Sequence, residues 1–194
     1  MSAYTTARAR FAAWAALDSP HLPADPVDAM QLRLARWEVR QPFWRADAAF
    51  VALGCCEEVG ERASAESPDE IEDAMGDVAI YAGQVAMRNR LAMSGLFDAA
   101  DELPALHADA WRNLCDAQGR VAHLALKRSQ RIREGALPDE EYRARMATTI
   151  AALLGAVEAT SYRSGRSARD CYLITGARIL ARDWTANRVT GVAP

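Results

Sequence analysis

Apolar residues recur every three to four positions along several long segments of this chain, and no other feature restricts its fold as strongly. Glycines and prolines stand between the segments, and alternating runs of β-branched residues are nearly absent. The hydrophobic content of 51% excludes a disordered chain, and 194 residues suffice for one good core or two closely packed halves. We therefore predict an all-α protein.

Breaks in this pattern divide the chain into three regions. Residues 1–26 are predicted to form an N-terminal helix and a proline-rich linker, residues 27–96 a first helical half, and residues 97–194 a second helical half that completes the bundle. The predicted helices cover about residues 3–17, 27–39, 44–65, 68–93, 106–119, 120–133, 138–162 and 167–188, and residues 94–104 are predicted to be a connection.

A weak internal repeat relates the two halves. A proline followed by acidic residues opens a helix at Pro138 as it does at Pro68, and the apolar pattern from Met146 onwards is similar to that from Met75. In this alignment Thr148 stands where the first half has an aspartate, and no acidic cluster precedes it. Only the first half is therefore expected to carry an acidic site.

Residues 57–77 form an acidic window with nine carboxylates and a single basic residue. Side chains three or four positions apart share a helical face, so the acids form two groups on neighbouring helices. These groups are Glu57, Glu58 and Glu61 on the first helix, and Asp73 and Asp77 on the second. Two antiparallel helices would turn the groups toward one another as a carboxylate cage for a cation.

The helix that carries Asp77 has an unusually thin polar sector, with apolar residues on both flanks. An ordinary surface helix shows water a broad polar face, so this narrow stripe indicates an interior site. Carboxylate oxygens suit Mg²⁺ or Mn²⁺, which act together with substrate phosphates. The predicted chemistry is cleavage of a phosphate ester or phosphoanhydride.

The stretch from Glu57 to Glu61, followed by residues 71–81, resembles the MazG family of all-α nucleoside triphosphate pyrophosphohydrolases. The family's pattern is Glu-Glu-x-x-Glu, a gap, and then Glu-x-x-Asp. The resemblance is specific over about residues 37–90 and weaker over 120–188, which look like the degenerate second unit of tandem chains. It implies a helical bundle, Mg²⁺ ions on the four acids, and hydrolysis of an NTP or dNTP to the monophosphate and pyrophosphate.

Carried over by position, the resemblance assigns the metal ligands to Glu58, Glu61 and Asp77, with Glu57 as the general base. Ala74 departs from the pattern, because it stands where the family has the first acid of Glu-x-x-Asp. Asp73 lies four residues before Asp77 on the same face and is a candidate to replace this ligand, and a metal-bound water is the alternative.

Basic residues of the second half are candidates for binding the phosphates. Lys127, Arg128 and Arg131 lie on a basic helix and could stabilise the leaving pyrophosphate, although a helix face turned to water is the favoured explanation. The formal charge of −3 gives no general attraction to nucleic acid or anionic membranes. A nucleotide is the expected partner. The resemblance also implies a homodimer, because members of the family commonly form dimers, unless the two halves of this chain take the place of the two subunits.

The chain is expected to be cytoplasmic, since its N-terminus lacks the apolar core of a signal peptide and its four cysteines lack the spacing of a disulfide framework. Its longest apolar run, residues 150–157, is far shorter than the ~20 residues that cross a membrane.

Two other functions remain open at this point. The first is a catalytically weak or inactive MazG-like protein that senses nucleotides or binds a partner, and the second is a plain helical scaffold whose acids face water.

Overall fold

The computed structural model describes residues 3–14, 21–42, 46–103, 109–188 and 191. Within these residues the chain forms helices and no strand, which confirms the all-α prediction. The helices are α1 (Ala3–Trp14), α2 (Pro26–Glu38), α3 (Ala48–Ser64), α4 (Pro68–Arg88), α5 (Met93–Asp101), α6 (Ala110–Gln130), α7 (Asp139–Ser161) and α8 (Ala168–Leu180), with short 3-10 helices at Arg133–Ala136 and Tyr162–Ser164. In this described part of the chain, every helix is too short or too polar to cross a membrane.

Helix α4 lies at the centre of the bundle and packs against α2, α3, α7 and α8. Its buried side chains include Met75, Val78 and Val85, which are fully shielded from solvent. Gly76 lets α8 approach closely, because a Cβ atom there would lie 2.9 Å from the carbonyl oxygen of Cys171. The core therefore fixes the position of α8 relative to α4.

The start of α4 follows from its first residues, as the sequence predicts. Ser67 is the N-cap: its hydroxyl accepts a hydrogen bond from the Glu70 amide at 3.2 Å, and Glu70 in turn accepts one from the Ser67 amide at 2.9 Å. Pro68 occupies the first turn, where its missing N–H costs nothing. The short link before it turns the chain back, so α3 and α4 are antiparallel neighbours.

Contacts between α3 and α4 define their register. The Arg88 side chain donates a hydrogen bond to the carbonyl of Ala46 at 3.0 Å, and the ring of Tyr81 lies against Gly54. One turn beyond the contact of Gly54 with Tyr81, Glu58 of α3 and Asp77 of α4 are close enough to repel one another. The acidic faces of the two helices therefore meet, as the sequence predicts.

The structure corrects several predicted boundaries. Helix α4 ends at Arg88 rather than near residue 93, and Arg90 follows with a φ of 57°. Met93–Asp101 is a helix where a connection was predicted. Gly95 does not break this helix, and its lack of a side chain lets the helix pack closely on the backbone of Ala7.

Further along the chain, α6 continues without interruption through Gly119, and α8 ends at Leu180 instead of extending to residue 188. The predicted ends at residues 15–17, 44–45 and 106–108 lie outside the described residues.

Candidate functional site

A cavity of about 530 Å³ lies between the acidic faces of α3 and α4 and the residues that follow α8. Three of the predicted acids line it: Glu57 and Glu58 from α3, and Asp77 from α4. The other described lining residues are Trp37, Ala46, Phe50, Val51, Leu53, Gly54, Ile80, Tyr81, Gln84, Ile179, Arg182 and Trp184. The cavity thus combines carboxylates with apolar and aromatic walls.

The acids of this cavity have no counter-charge in contact with them. Within the described residues, Glu57, Glu58, Glu61 and Asp77 form no ion pair and no side-chain hydrogen bond. Carboxylates that are partly removed from water without a partner destabilise the folded chain. An arrangement of this kind is stabilised when a cation binds among them.

Burial and mutual repulsion raise the pKa values of two of these acids. Burial, followed by the charges of Asp77 and Glu61, raises the pKa of Glu58 to about 8. Burial and the charge of Asp73 raise the pKa of Asp77 to about 6, against the lowering effect of Arg182. A bound dication would lower both values again, because it favours the ionised carboxylates.

Tyr81 turns its phenol toward the same acids. Burial and then the charges of Glu58, Asp77 and Glu57 raise the pKa of Tyr81 to about 12, so its hydroxyl stays protonated at neutral pH. A Cβ atom on Gly54 would lie 2.9 Å from that hydroxyl oxygen and closer still to the ring. Glycine at this position is what allows the tyrosine to lie across α3, with its hydroxyl available as a hydrogen-bond donor in the cavity.

The segment after α8 closes one side of the cavity. The indole Nε1 of Trp37 donates a hydrogen bond to the carbonyl of Arg182 at 2.7 Å, and the amide of Trp184 donates one to the side-chain oxygen of Gln41 at 3.1 Å. These bonds hold the segment against the end of α2. Sequence reasoning missed this contribution because it continued the last helix through these residues.

Two other predicted acids lie differently. Glu61 is not among the described lining residues, although its charge acts on both Glu58 and Asp77. Asp73 is 56% exposed in its side chain and forms an ion pair with Arg178 at 2.9 Å. That arginine also binds the buried Glu72 at 2.9 Å, so it ties α8 to α4.

Ala74, which replaces the family's expected acid, is 4% exposed and belongs to the core. The structure therefore supplies no carboxylate at that position, and the acids of the cavity come from positions 57, 58 and 77.

None of the three basic residues predicted to bind phosphate is among the described residues that line the cavity. Arg128 donates hydrogen bonds to the carbonyls of Gly135 and Leu137 and lies over the ring of Tyr142, so it stabilises the turn after α6. Lys127 donates a hydrogen bond within its own helix, and Arg131 is the C-cap of α6. Their phosphate role stays a prediction.

The donor chemistry of the cavity fits a hard divalent ion. Carboxylate oxygens are the ligands that Mg²⁺ and Mn²⁺ prefer, and Glu57, Glu58 and Asp77 form no ion pair with an arginine in the described part of the chain. No set of three or more histidine, cysteine, aspartate or glutamate side chains in that part is yet drawn together around one point. The side chains would therefore have to move closer together before they could hold an ion.

A second, larger cavity of about 720 Å³ lies between α6 and α7. Its charged groups pair with one another or with neighbours: His123 with Glu134 at 3.3 Å, and Arg120 with Asp116 at 2.9 Å. The α3–α4 cavity therefore holds the unpaired acids and is the better candidate for a functional site.

Comparison of the chain with protein-family models, with curated proteins and with solved structures found no match.

Proposed function

We propose that this protein is a Mg²⁺-dependent nucleotide pyrophosphohydrolase that cleaves an NTP or dNTP to the monophosphate and pyrophosphate. The observation that carries the proposal is the meeting of Glu58 and Asp77 in one cavity, with raised pKa values and no counter-charge in contact among the described residues. Burial is the largest cause of both raised pKa values, and a bound cation would stabilise carboxylates that are partly removed from water and close to one another.

The carboxylates divide into two roles. Glu58, Glu61 and Asp77 would hold Mg²⁺ or Mn²⁺, with Asp73 joining them if it leaves Arg178. When bound, the ion supplies charge neutralisation at the phosphates and a lowered pKa of its water. Glu57 lines the cavity on an exposed part of α3 and would accept the proton of the attacking water as general base.

The apolar walls of the cavity favour a nucleotide as the substrate over an inorganic phosphate chain. Phe50 and Leu53 line the cavity and remain 63% and 64% exposed, and Trp184 lies on the side formed by the segment after α8. Aromatic and aliphatic surfaces of this kind pack against a nucleobase.

The pairing of helices supports a MazG-like arrangement with two related halves. Antiparallel α3 and α4 would be the metal-binding half, and α6 and α7, which pack against one another and against the first pair, the degenerate half. Thr148 of α7 stands in the sequence repeat where α4 has Asp77, and its hydroxyl bonds to its own helix at the carbonyl of Ala144.

One observation favours a second function, a weak or inactive nucleotide-sensing protein. Ala74 is buried in the core, and Asp73, its candidate replacement, is engaged with Arg178. A site with three acids in place of four would bind nucleotide while turning it over slowly.

A panel of NTPs and dNTPs with Mg²⁺ or Mn²⁺ tests the proposal. The wild-type protein should release monophosphate and pyrophosphate from at least one of them, and Asp77→Asn should not. Asp69→Asn, the same substitution at an exposed acid in the first turn of α4, is the matched control and should stay active. Nucleotide binding without any product would support the sensing protein, and neither binding nor product would defeat both.

A further inference from the structure

We propose that Arg182 binds the phosphate oxygens of the substrate in the cavity shared by Glu58 and Asp77. This inference rests on the proposed function and adds the residue that recognises the phosphate chain. Among the described residues that line the cavity, Arg182 is the only basic one.

The guanidinium of Arg182 has no acid in contact with it. It forms no ion pair within the described residues and lies 6.0 Å from the centre of the Trp184 ring. Its charge nevertheless acts on Asp77, which places it within reach of the acidic part of the cavity. Arg182 is thus an exposed cation that lines the cavity and that no carboxylate of the described residues neutralises by direct contact.

Arg178, one turn earlier, shows what an arginine with a structural role looks like here. It binds Glu72 and Asp73 at 2.9 Å each and joins α8 to α4. Arg182 has the same side chain on the same side of the bundle but no such partners. The difference indicates that Arg182 is not needed to hold the helices together.

The backbone of Arg182 is fixed, while its guanidinium lies over the Trp184 ring and forms no ion pair among the described residues. Its carbonyl accepts the 2.7 Å hydrogen bond from Trp37, and the following residues are tied to α2 through Gln41. Because the backbone is fixed, binding of a ligand has to order only the side chain of Arg182.

The cavity then carries carboxylates that suit a metal ion and a guanidinium that suits phosphate oxygens. A ligand that complements both is a phosphate chain with a bound divalent cation. The fork of N–H groups on arginine matches two phosphate oxygens at once, whereas a lysine would offer a single point charge.

Binding of magnesium imidodiphosphate, a pyrophosphate analogue that resists hydrolysis, tests this inference by calorimetry. The wild-type protein should bind it, and Arg182→Gln should bind it at least about tenfold more weakly through loss of charge-assisted hydrogen bonds. Arg182→Lys should recover part of the loss. Arg33→Gln, the same change at an exposed arginine of α2 outside the described cavity lining, should bind like the wild type.

Equal affinity of Arg182→Gln and the wild type would overturn the inference. A wild-type protein that does not bind the probe, or a loss of binding confined to Arg33→Gln, would overturn it as well. Melting curves should coincide for all variants, because the Trp37 hydrogen bond uses the backbone of residue 182.

Nucleotide hydrolysis separates this inference from the proposed function. Arg182→Gln should raise the KM of an active enzyme by about tenfold with a smaller change in kcat. Active wild type with an unchanged KM in the variant would refute the role of Arg182 alone. Arg182-dependent binding without any hydrolysis would refute the enzyme and leave the anion site standing.

Discussion

Replacing Glu58 with glutamine should change how the stability of the metal-free protein depends on pH. Glutamine resembles protonated glutamic acid in size but cannot ionise. The pKa of Glu58 rises from its ordinary value of 4.5 to about 8 in the folded protein, through burial first and then repulsion by neighbouring acids. The folded state therefore holds this proton more tightly than the unfolded chain does.

The sign of the effect follows from that difference. Below pH 4.5 Glu58 is protonated in both states, and its contribution to stability is fully present. As the pH rises toward about 8, the unfolded chain releases the proton and the folded protein must retain it or ionise at a cost, so the contribution is lost.

The magnitude can be bounded from the same pKa. One pKa unit corresponds to about 1.4 kcal/mol, so the rise to about 8 sets an upper limit of about 5 kcal/mol. Glu58 is only half-buried, and solvent screens its repulsion by the other acids. We expect about 2 kcal/mol of unfolding free energy to be lost between pH 5 and pH 9.

Urea unfolding of the wild type and Glu58→Gln at pH 5, 7 and 9, with a chelator present, measures this difference. The two proteins should have similar stability at pH 5, and the variant should be the more stable by about 2 kcal/mol at pH 9. Glu66→Gln, the same change at an exposed residue outside the cavity lining, should follow the wild type at each pH. Parallel curves for wild type and Glu58→Gln would show that Glu58 is not an unpaired acid in a desolvated site.

Other substitutions test the remaining contacts. Asp77→Asn should abolish the rise in Tm that Mg²⁺ gives the wild type, whereas Asp69→Asn should keep it; equal shifts in both would remove Asp77 from the ligand set. Gly54→Ala should lower the unfolding free energy by about 1–3 kcal/mol, because its Cβ would meet the Tyr81 ring. Gly60→Ala on the same helix meets no atom within 4 Å and should stabilise by about 0.5–1 kcal/mol, so equal effects of the two would refute the Tyr81 contact. Tyr81→Phe should leave Tm nearly unchanged and lower kcat/KM by about tenfold through the lost donor, and full activity would show that the hydroxyl is idle.

Local rules predicted the part of the fold that places the acids. Ser67 and Pro68 open α4 because a capping hydroxyl and a proline in the first turn are favoured there, and both occur in the structure. The short link after α3 then requires antiparallel helices, which brings Glu58 opposite Asp77. Spacing along two helices was enough to identify these acids as neighbours.

Tertiary contacts decided what the sequence could not. Gly95 reads as a break in a helix, yet it allows α5 to pack on Ala7 of α1. The chain leaves the helix after Leu180 and is held by Trp37, which places Arg182 at the cavity. The sequence suggested Arg128 as a phosphate-binding residue because it is a basic residue on a basic helix. In the structure its guanidinium instead donates hydrogen bonds to two carbonyls of the turn that follows α6.

The most direct measurement for a metal site between α3 and α4 is anomalous diffraction from crystals soaked with Mn²⁺. The account predicts a peak between the two helices, with carboxylate oxygens of Glu58 and Asp77 within about 2.3 Å of the ion. A peak only at another position would contradict this account. So would the absence of a peak at these residues in a crystal whose other Mn²⁺ sites are fully occupied.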